Sequence, residues 1–269
     1  MRRDLMLGSV FGKSLRDQRW SLLGWGVGVL LLVLMEAAVW PTLRDMPDLD
    51  QFLDSYPKAM RDLFNLDAMS SGTGFMNAEL FTLMLPMLFI IFGITRGART
   101  LAGEEEAGSL EVVLVTPVST AHVVLEKAAA LVTSLVALGS VLAVVLLACS
   151  LVFGMGIGLR DVLVGSVAMV ALGSEFGLLG LAVGAATGRR AIALGVAGAA
   201  AVAAYLLYAL GLIVDTVAPW QPLSPFQQAL SDGPLGSPPP LSMLWVVLAA
   251  VAVVVVAIPV FTRRDLRLH

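Results

Sequence analysis

Leu101-AGEEEAGSLEVVLVTPVS-Thr120 decides how this chain is to be read. The segment is charged and helix-forming, yet it sits between two hydrophobic runs that reach bilayer-crossing length. A compact acidic helix at a membrane surface has a purpose when something in the water docks on it. Glu104, Glu105 and Glu106 are expected early in that helix, where the amino-terminal dipole tolerates acid, and Leu110, Val113 and Leu114 form an apolar stripe with Glu111 beside it. Thr116-Pro117 breaks the helix, because proline holds the residue before it in extended geometry. Ser119 or Thr120 can then cap a helix leading into the next hydrophobic run. A solvated charge run would account for three glutamates but leaves the apolar stripe unexplained.

Working outward, the composition is that of a polytopic membrane protein. The chain is 58% hydrophobic and 14% charged, with a mean hydropathy of +0.89, whereas a soluble domain is about half apolar and about a quarter charged. An all-α fold with six membrane helices is predicted, at residues 20–40, 79–96, 123–153, 162–187, 191–214 and 241–261. Residues 97–122 form the cytoplasmic segment between the second and third spans, and the whole chain reads as a single transmembrane domain. The fourth and fifth spans are parted only by Gly188-Arg189-Arg190. A charged amino terminus that runs straight into a full-length span reads as a retained first helix rather than a cleaved signal.

Cations set the orientation. One side of the predicted membrane holds Arg2, Arg3, Lys13, Arg16, Arg19, Arg96, Arg99, Lys127, Arg189, Arg190, Arg263, Arg264 and Arg267, against only Arg44, Lys58, Arg61 and Arg160 on the other. The positive-inside tendency makes the first side cytoplasmic, so both termini and the acidic segment are expected inside the cell at the plasma membrane. Net charge is −3, with the signs segregated by face rather than pooled into a patch that would bind nucleic acid, and no nucleic-acid partner is expected. The one cysteine, Cys149, excludes an intrachain disulfide and reads as a small packing residue.

Residues 1–19 are expected to lie along the cytoplasmic interface as an amphipathic helix before turning into the first span, with Leu7, Val10, Phe11 and Leu15 on one face and basic residues near the lipid headgroups. Trp20 and Trp25 would mark the inner membrane boundary and Trp40 the outer one. Gly12-Lys13-Ser14 is no phosphate loop, since Leu7 occupies the position of the required glycine and no strand precedes it. The first outer loop suggests a short amphipathic helix through Phe52, Leu53, Tyr56, Met60, Leu63 and Phe64. In the proline-rich loop before the last span, Ser224-Pro225 looks like an N-cap followed by proline at the first helical position, with Phe226, Ala229 and Leu230 on one face. A short helix and a plain tether both fit there.

Small residues at four-residue spacing, Gly173/Gly177, Gly180/Gly184/Gly188 and Ala193/Ala197/Ala201, suit close helix packing, either within the chain or at a dimer seam. Glu175 falls near the middle of the fourth span, where a charge costs about 2.5–3.5 kcal/mol on insertion scales. It reads either as a substrate-pathway or proton-linked group, or as a protonated carboxyl bonded to Ser174, Ser166 or a carbonyl. The two histidines, His122 and His269, lie far from any intramembrane serine or ligand cluster, which argues against a membrane hydrolase. An ion-coupled secondary transporter using Glu175 is the rival to an ATP-driven one, but the chain shows no inverted repeat.

Phe11-GKSLRDQRWSLLGW-Gly26, Gly97-ARTLAGEEEAGSLEVVLVTPVSTAHVVLE-Lys127, Gly188-Arg189-Arg190-Ala191, Leu223-Ser224-Pro225-Phe226 and Phe261-TRRD-Leu266 resemble the permease subunit of type-2 ABC transporters, the six-span exporters of the fold called type V. The acidic-Gly-Ser-Leu-Glu run followed by Thr-Pro-Val-Ser is the most specific part. The resemblance implies that residues 97–122 hold a coupling helix that fits a groove on a cytoplasmic ABC ATPase, two copies per complex, with Glu104, Glu105, Glu106, Leu110 and Glu111 as contacts. It also implies pairing with a second permease, same or different, to form the pathway. The chain itself would then be no enzyme and bind no cofactor, with ATP and Mg on the partner subunit. Export is inherited from the resemblance, and a pathway of Leu, Val, Ala and Gly favours a hydrophobic or amphipathic cargo such as a drug, peptide or lipid.

Overall fold

A computed structural model describes residues 10–47, 55–58, 60–61, 68–108, 119–231 and 233–263. Six helices in it are long and apolar enough to cross a membrane: α1 (Val10–Arg44), α2 (Gly72–Glu106), α3 (Thr120–Phe153), α4 (Leu159–Thr187), α5 (Arg190–Ile213) and, after a short α6 (Pro225–Leu230), α7 (Met243–Arg263). Among the described residues there is no strand, and the chain is an all-α polytopic membrane protein.

Helix ends follow local chemistry. Ser119 accepts from the His122 amide to start α3, and Gly154 ends it in the left-handed region at φ 63°, donating to the Ser150 carbonyl. Gly188 closes α4 in the same way at φ 62°. That turn separates the fourth and fifth spans at the expected Gly188-Arg189-Arg190, because glycine adopts this conformation without a Cβ penalty.

Two helices run longer than their composition suggested. α1 is continuous from Val10 to Arg44, so residues 10–19 do not turn off along the interface before the span begins. Nothing between Val10 and Trp40 interrupts helix formation, and the first proline, Pro41, lies in the last turn. Its 35 residues span about 50 Å, well beyond a hydrocarbon core, which leaves the basic amino-terminal turns outside the apolar layer. Gly12-Lys13-Ser14 is part of this helix.

α2 likewise extends from Gly72 to Glu106, ten residues past the predicted end of its span. Two stretches of wider π-helical turn, Asn77–Met84 and Arg99–Gly103, interrupt its α-helical hydrogen bonding. The first ends just before Pro86, where the missing amide hydrogen would break the regular ladder.

α4 is the hub and the most buried of the six, with α2, α3, α5 and α7 packed around it and α1 laid outside on α3. The α2–α4 crossing is close because glycines meet there. A Cβ on Gly93 would stand 2.2 Å from the Gly173 carbonyl oxygen, and one on Gly97 would stand 1.9 Å from that of Gly177. Gly180 and Gly184 face Ile94, Ala98 and Ala102 of α2 and also Ala197 and Ala193 of α5. The small-residue ladders therefore serve packing within the chain. Large apolar side chains remain exposed on α1, α5 and α7, as at Leu31, Leu206 and Val255.

The end of the bundle at the α5–α6 turn is closed by side chains from several helices. Ser224 caps α6 by accepting from the Phe226 amide and donates its own hydroxyl to the Ala204 carbonyl at 2.7 Å. Phe226, Ala229 and Leu230 are buried, with Phe226 edge-on to Tyr205 at 5.3 Å. A helix, not a plain tether, thus follows Ser224. Asn77 receives the Leu235 amide at 3.1 Å and donates to the Leu235 carbonyl at 2.8 Å, tying the proline-rich loop to the start of α2.

Trp40 is no boundary anchor: it is 3% exposed and tilted against Phe75 at 5.7 Å, a core position at the α1–α2 contact. Trp20, at 74% exposure, keeps the open position expected of an interfacial ring. In the loop between α1 and α2, Phe52, Leu53, Leu63 and Phe64 lie outside the described residues, while the amides of Met60 and Arg61 both reach the Pro57 carbonyl in a single helical turn.

Candidate functional site

The opposite end of the bundle gathers the start of α1, the end of α2, the start of α3, the α4–α5 turn and the end of α7. Phe11 of α1 is hydrogen-bonded to α3 there, and Thr120 of α3 lies 3.1 Å from Thr262 of α7, hydroxyl to hydroxyl. Both ends of the described chain and the cations Lys13, Arg96, Arg99, Lys127, Arg189 and Arg190 therefore share one face.

The glutamates of the elbow between α2 and α3 sit elsewhere in their helix than their pattern suggested. Glu104, Glu105 and Glu106 form the last turn of α2, not the first turn of a new helix. Carboxylates at a carboxy-terminal end oppose the helix dipole, so each needs a reason to be there. Glu104 has Lys127, whose ammonium lies 2.7 Å from Oε2 and also donates to the Thr100 carbonyl at 2.8 Å. Glu106 has the amino terminus of α5, accepting the Arg190 amide at 2.8 Å. A carboxylate that is misplaced on its own helix thus caps another. Glu105 is turned inward and only 7% exposed.

Lys127 is the most buried charge in the described chain at 1% exposure, and its Glu104 partner is 22% exposed. One residue earlier, Glu126 accepts the Phe11 amide at 3.0 Å through Oε2 and faces His122 at 3.0 Å through Oε1. Gln18 of α1 accepts from the Ser134 hydroxyl of α3 at 3.0 Å, deeper in the same seam. Three glutamates from the two arms of the elbow therefore fasten α1, α2, α3 and α5 to one another. Sequence reasoning counted Lys127 only toward orientation and passed over Glu126. The available signal was a lone lysine inside an apolar run, since a buried lysine needs a partner.

Of the other expected contacts, Leu110 and Glu111 lie outside the described residues, as does the Thr116-Pro117 break. Two residues past the end of α2, Gly108 has a φ of 67°, the left-handed geometry that follows a helix end.

Glu175 lies apart from this end, in the middle of α4, and is half-buried. Its Oε2 and the hydroxyls of Ser166 and Ser174 are each sealed from solvent without a hydrogen-bond partner. The carboxyl-to-serine bond expected for a structural role is not formed. Among the described residues no group of three or more His, Cys, Asp and Glu side chains comes close enough to hold a metal ion.

Residues 9–266 match the family model described as ABC-2 family transporter protein. No curated protein matches the chain.

Proposed function

Because the chain belongs to the ABC-2 transporter family, whose members are multi-pass membrane permeases, we propose that it is the permease subunit of an ATP-driven exporter. It pairs with a second permease and is worked from the cytoplasm by a separate ABC ATPase, present in two copies, which holds the ATP and Mg. The observation that carries this reading is the fastening of both arms of the elbow to the spans: Glu104 to Lys127, Glu106 to the α5 amino terminus and Glu126 to α1. A free surface loop would need no such ties. Their arrangement suits a lever, because displacement of the elbow is delivered to four helices together as a rigid-body shift.

In this reading the expected contact residues divide the work that the resemblance gave to one surface. Glu104 and Glu106 brace the elbow against α3 and α5, while Leu110 and Glu111 supply the apolar and acidic contacts to the ATPase groove. The gathering of cations at the elbow end favours the cytoplasm for that face and for both termini. The exposed apolar faces of α1, α5 and α7 are left for lipid or for the second permease, and a cargo of hydrophobic or amphipathic character suits a pathway with so few polar groups.

Co-purification with the ATPase tests the docking surface. Leu110→Asp and Glu111→Lys are each expected to weaken the complex by about tenfold or more, the cost of removing a buried apolar anchor or reversing a paired charge. Full retention of the ATPase by both variants would refute the docking assignment. Transport that persists while the ATPase is blocked from hydrolysing ATP would refute the energy source and favour ion coupling.

Glu175 is assigned to the pathway in the same proposal, on the strength of its sealed and unbonded Oε2. Glu175→Gln preserves shape and hydrogen-bonding capacity while removing the acid. It is expected to lower transport by about tenfold with the unfolding midpoint unchanged; transport at the wild-type rate would remove Glu175 from the pathway.

A further inference from the structure

A polar cleft separates the amino-terminal turns of α1 from the carboxy-terminal turns of α2. It encloses about 490 Å³, and Lys13, Asp17, Arg96, Arg99, Thr100 and Glu104 are among the residues that line it. That volume lies within the range of small-ligand sites, about 300–1,000 Å³.

The charges in its wall do not balance. Arg96 is only 9% exposed, and its guanidinium lies over the Phe92 ring, 5.8 Å from the centroid. Among the described residues no carboxylate comes within salt-bridge distance of Arg96, Arg99 or Lys13. Of the two carboxylates in the wall, Glu104 is engaged by Lys127, which leaves Asp17 to offset three cations. A guanidinium withdrawn from water without a counter-ion is costly, and its planar fork of donors matches a phosphate better than any other common anion.

We propose that this cleft binds a phosphate group, carried by an anionic phospholipid headgroup or by free phosphate, with Arg96 and Arg99 as its forked donors and Lys13 as the third cation. A lipid is the better-supported source. One turn along α1 from Asp17, Trp20 is 74% exposed and Leu23 59% exposed, an open apolar surface on which acyl chains can lie while the headgroup enters the cleft.

The test is the unfolding midpoint of the purified full chain in detergent, measured with added phosphatidylglycerol, with phosphatidylcholine, or with inorganic phosphate. Ligand that binds only the folded state raises the midpoint by mass action. Phosphatidylglycerol is expected to raise it by about 3 °C or more and phosphatidylcholine by less. Arg99→Gln and Lys13→Gln, both at exposed positions that the fold does not depend on, should each shrink the shift. Arg189→Gln, a cation of the same face outside the cleft lining, should leave it intact.

If inorganic phosphate alone reproduces the shift and phosphatidylglycerol does not, the site is supported and its source is free phosphate. The proposal is overturned if neither phosphate source shifts the midpoint, if phosphatidylcholine equals phosphatidylglycerol, or if the Lys13→Gln/Arg99→Gln double variant responds like wild type. A shift produced only by an acidic peptide would likewise overturn it and give the cleft to a protein partner.

Discussion

Gly97→Leu is expected to prevent the chain from reaching its native packing, with a loss of more than about 3 kcal/mol. Even the first added carbon would stand 1.9 Å from the Gly177 carbonyl oxygen and 3.0 Å from the Leu181 nitrogen, both backbone atoms that cannot swing aside. α2 would have to draw away from α4, the helix that holds the bundle together. In a bilayer that separation has no cheap remedy, because helices there associate through close van der Waals packing rather than through release of water. Gly195→Leu is the control, since nothing lies within 4 Å of a Cβ at that position; it should stay within about 0.5 kcal/mol of wild type. The yield of monodisperse protein and its unfolding midpoint decide the matter. Equal behaviour of the two variants would mean that the glycine crossing does not hold α2 to α4.

Lys127→Met carries the second large effect. It removes an ammonium that is 1% exposed and leaves the Glu104 carboxylate and the Thr100 carbonyl without their shared donor. Breaking a buried pair from one side costs about 3–5 kcal/mol. Glu104→Gln should cost less, because that side chain is 22% exposed and water screens part of the loss. The double variant should be more stable than Lys127→Met alone, as no carboxylate is then left without its lysine, and the cycle of four proteins isolates the coupling. Under the proposed function the same substitution should reduce ATP-driven transport by about tenfold while the ATPase still binds, because docking and bracing use different residues. A Lys127→Met protein that is as stable and as active as wild type would remove the tie from both roles.

Much of the architecture was readable from the chain because it rests on local properties. Six runs of apolar residues, Ser119 and Ser224 before helix starts, and Gly188 between two spans each announce themselves within a few residues, and each is realised in the structure. The ends of α1 and α2 were misjudged for a related reason. Hydropathy marks where a helix can enter lipid, not where its hydrogen bonding stops: α1 is already helical through the polar residues 10–19, and α2 continues through polar sequence to Glu106, just before the left-handed Gly108. Glu104–Glu106 were correspondingly read as the start of a helix when they are the end of one.

The candidate site was legible only as a place. Sequence singled out the elbow, but not that Glu104 and Glu106 tie it to α3 and α5, nor that Glu126 reaches α1, nor that an unbalanced cluster of cations opens beside them. By itself the amino-acid sequence determined the class of molecule, the number of spans and the face on which its cations gather, since apolar run length and charge placement act through solvent and need no partner residue. The tertiary structure alone decided which small residues are spent inside the chain and which charges meet. Glu104 and Lys127 are 23 residues apart and Asn77 and Leu235 are 158 apart. Such pairs exist only once the glycine-lined crossing of α2 on α4 has set where each helix ends in space.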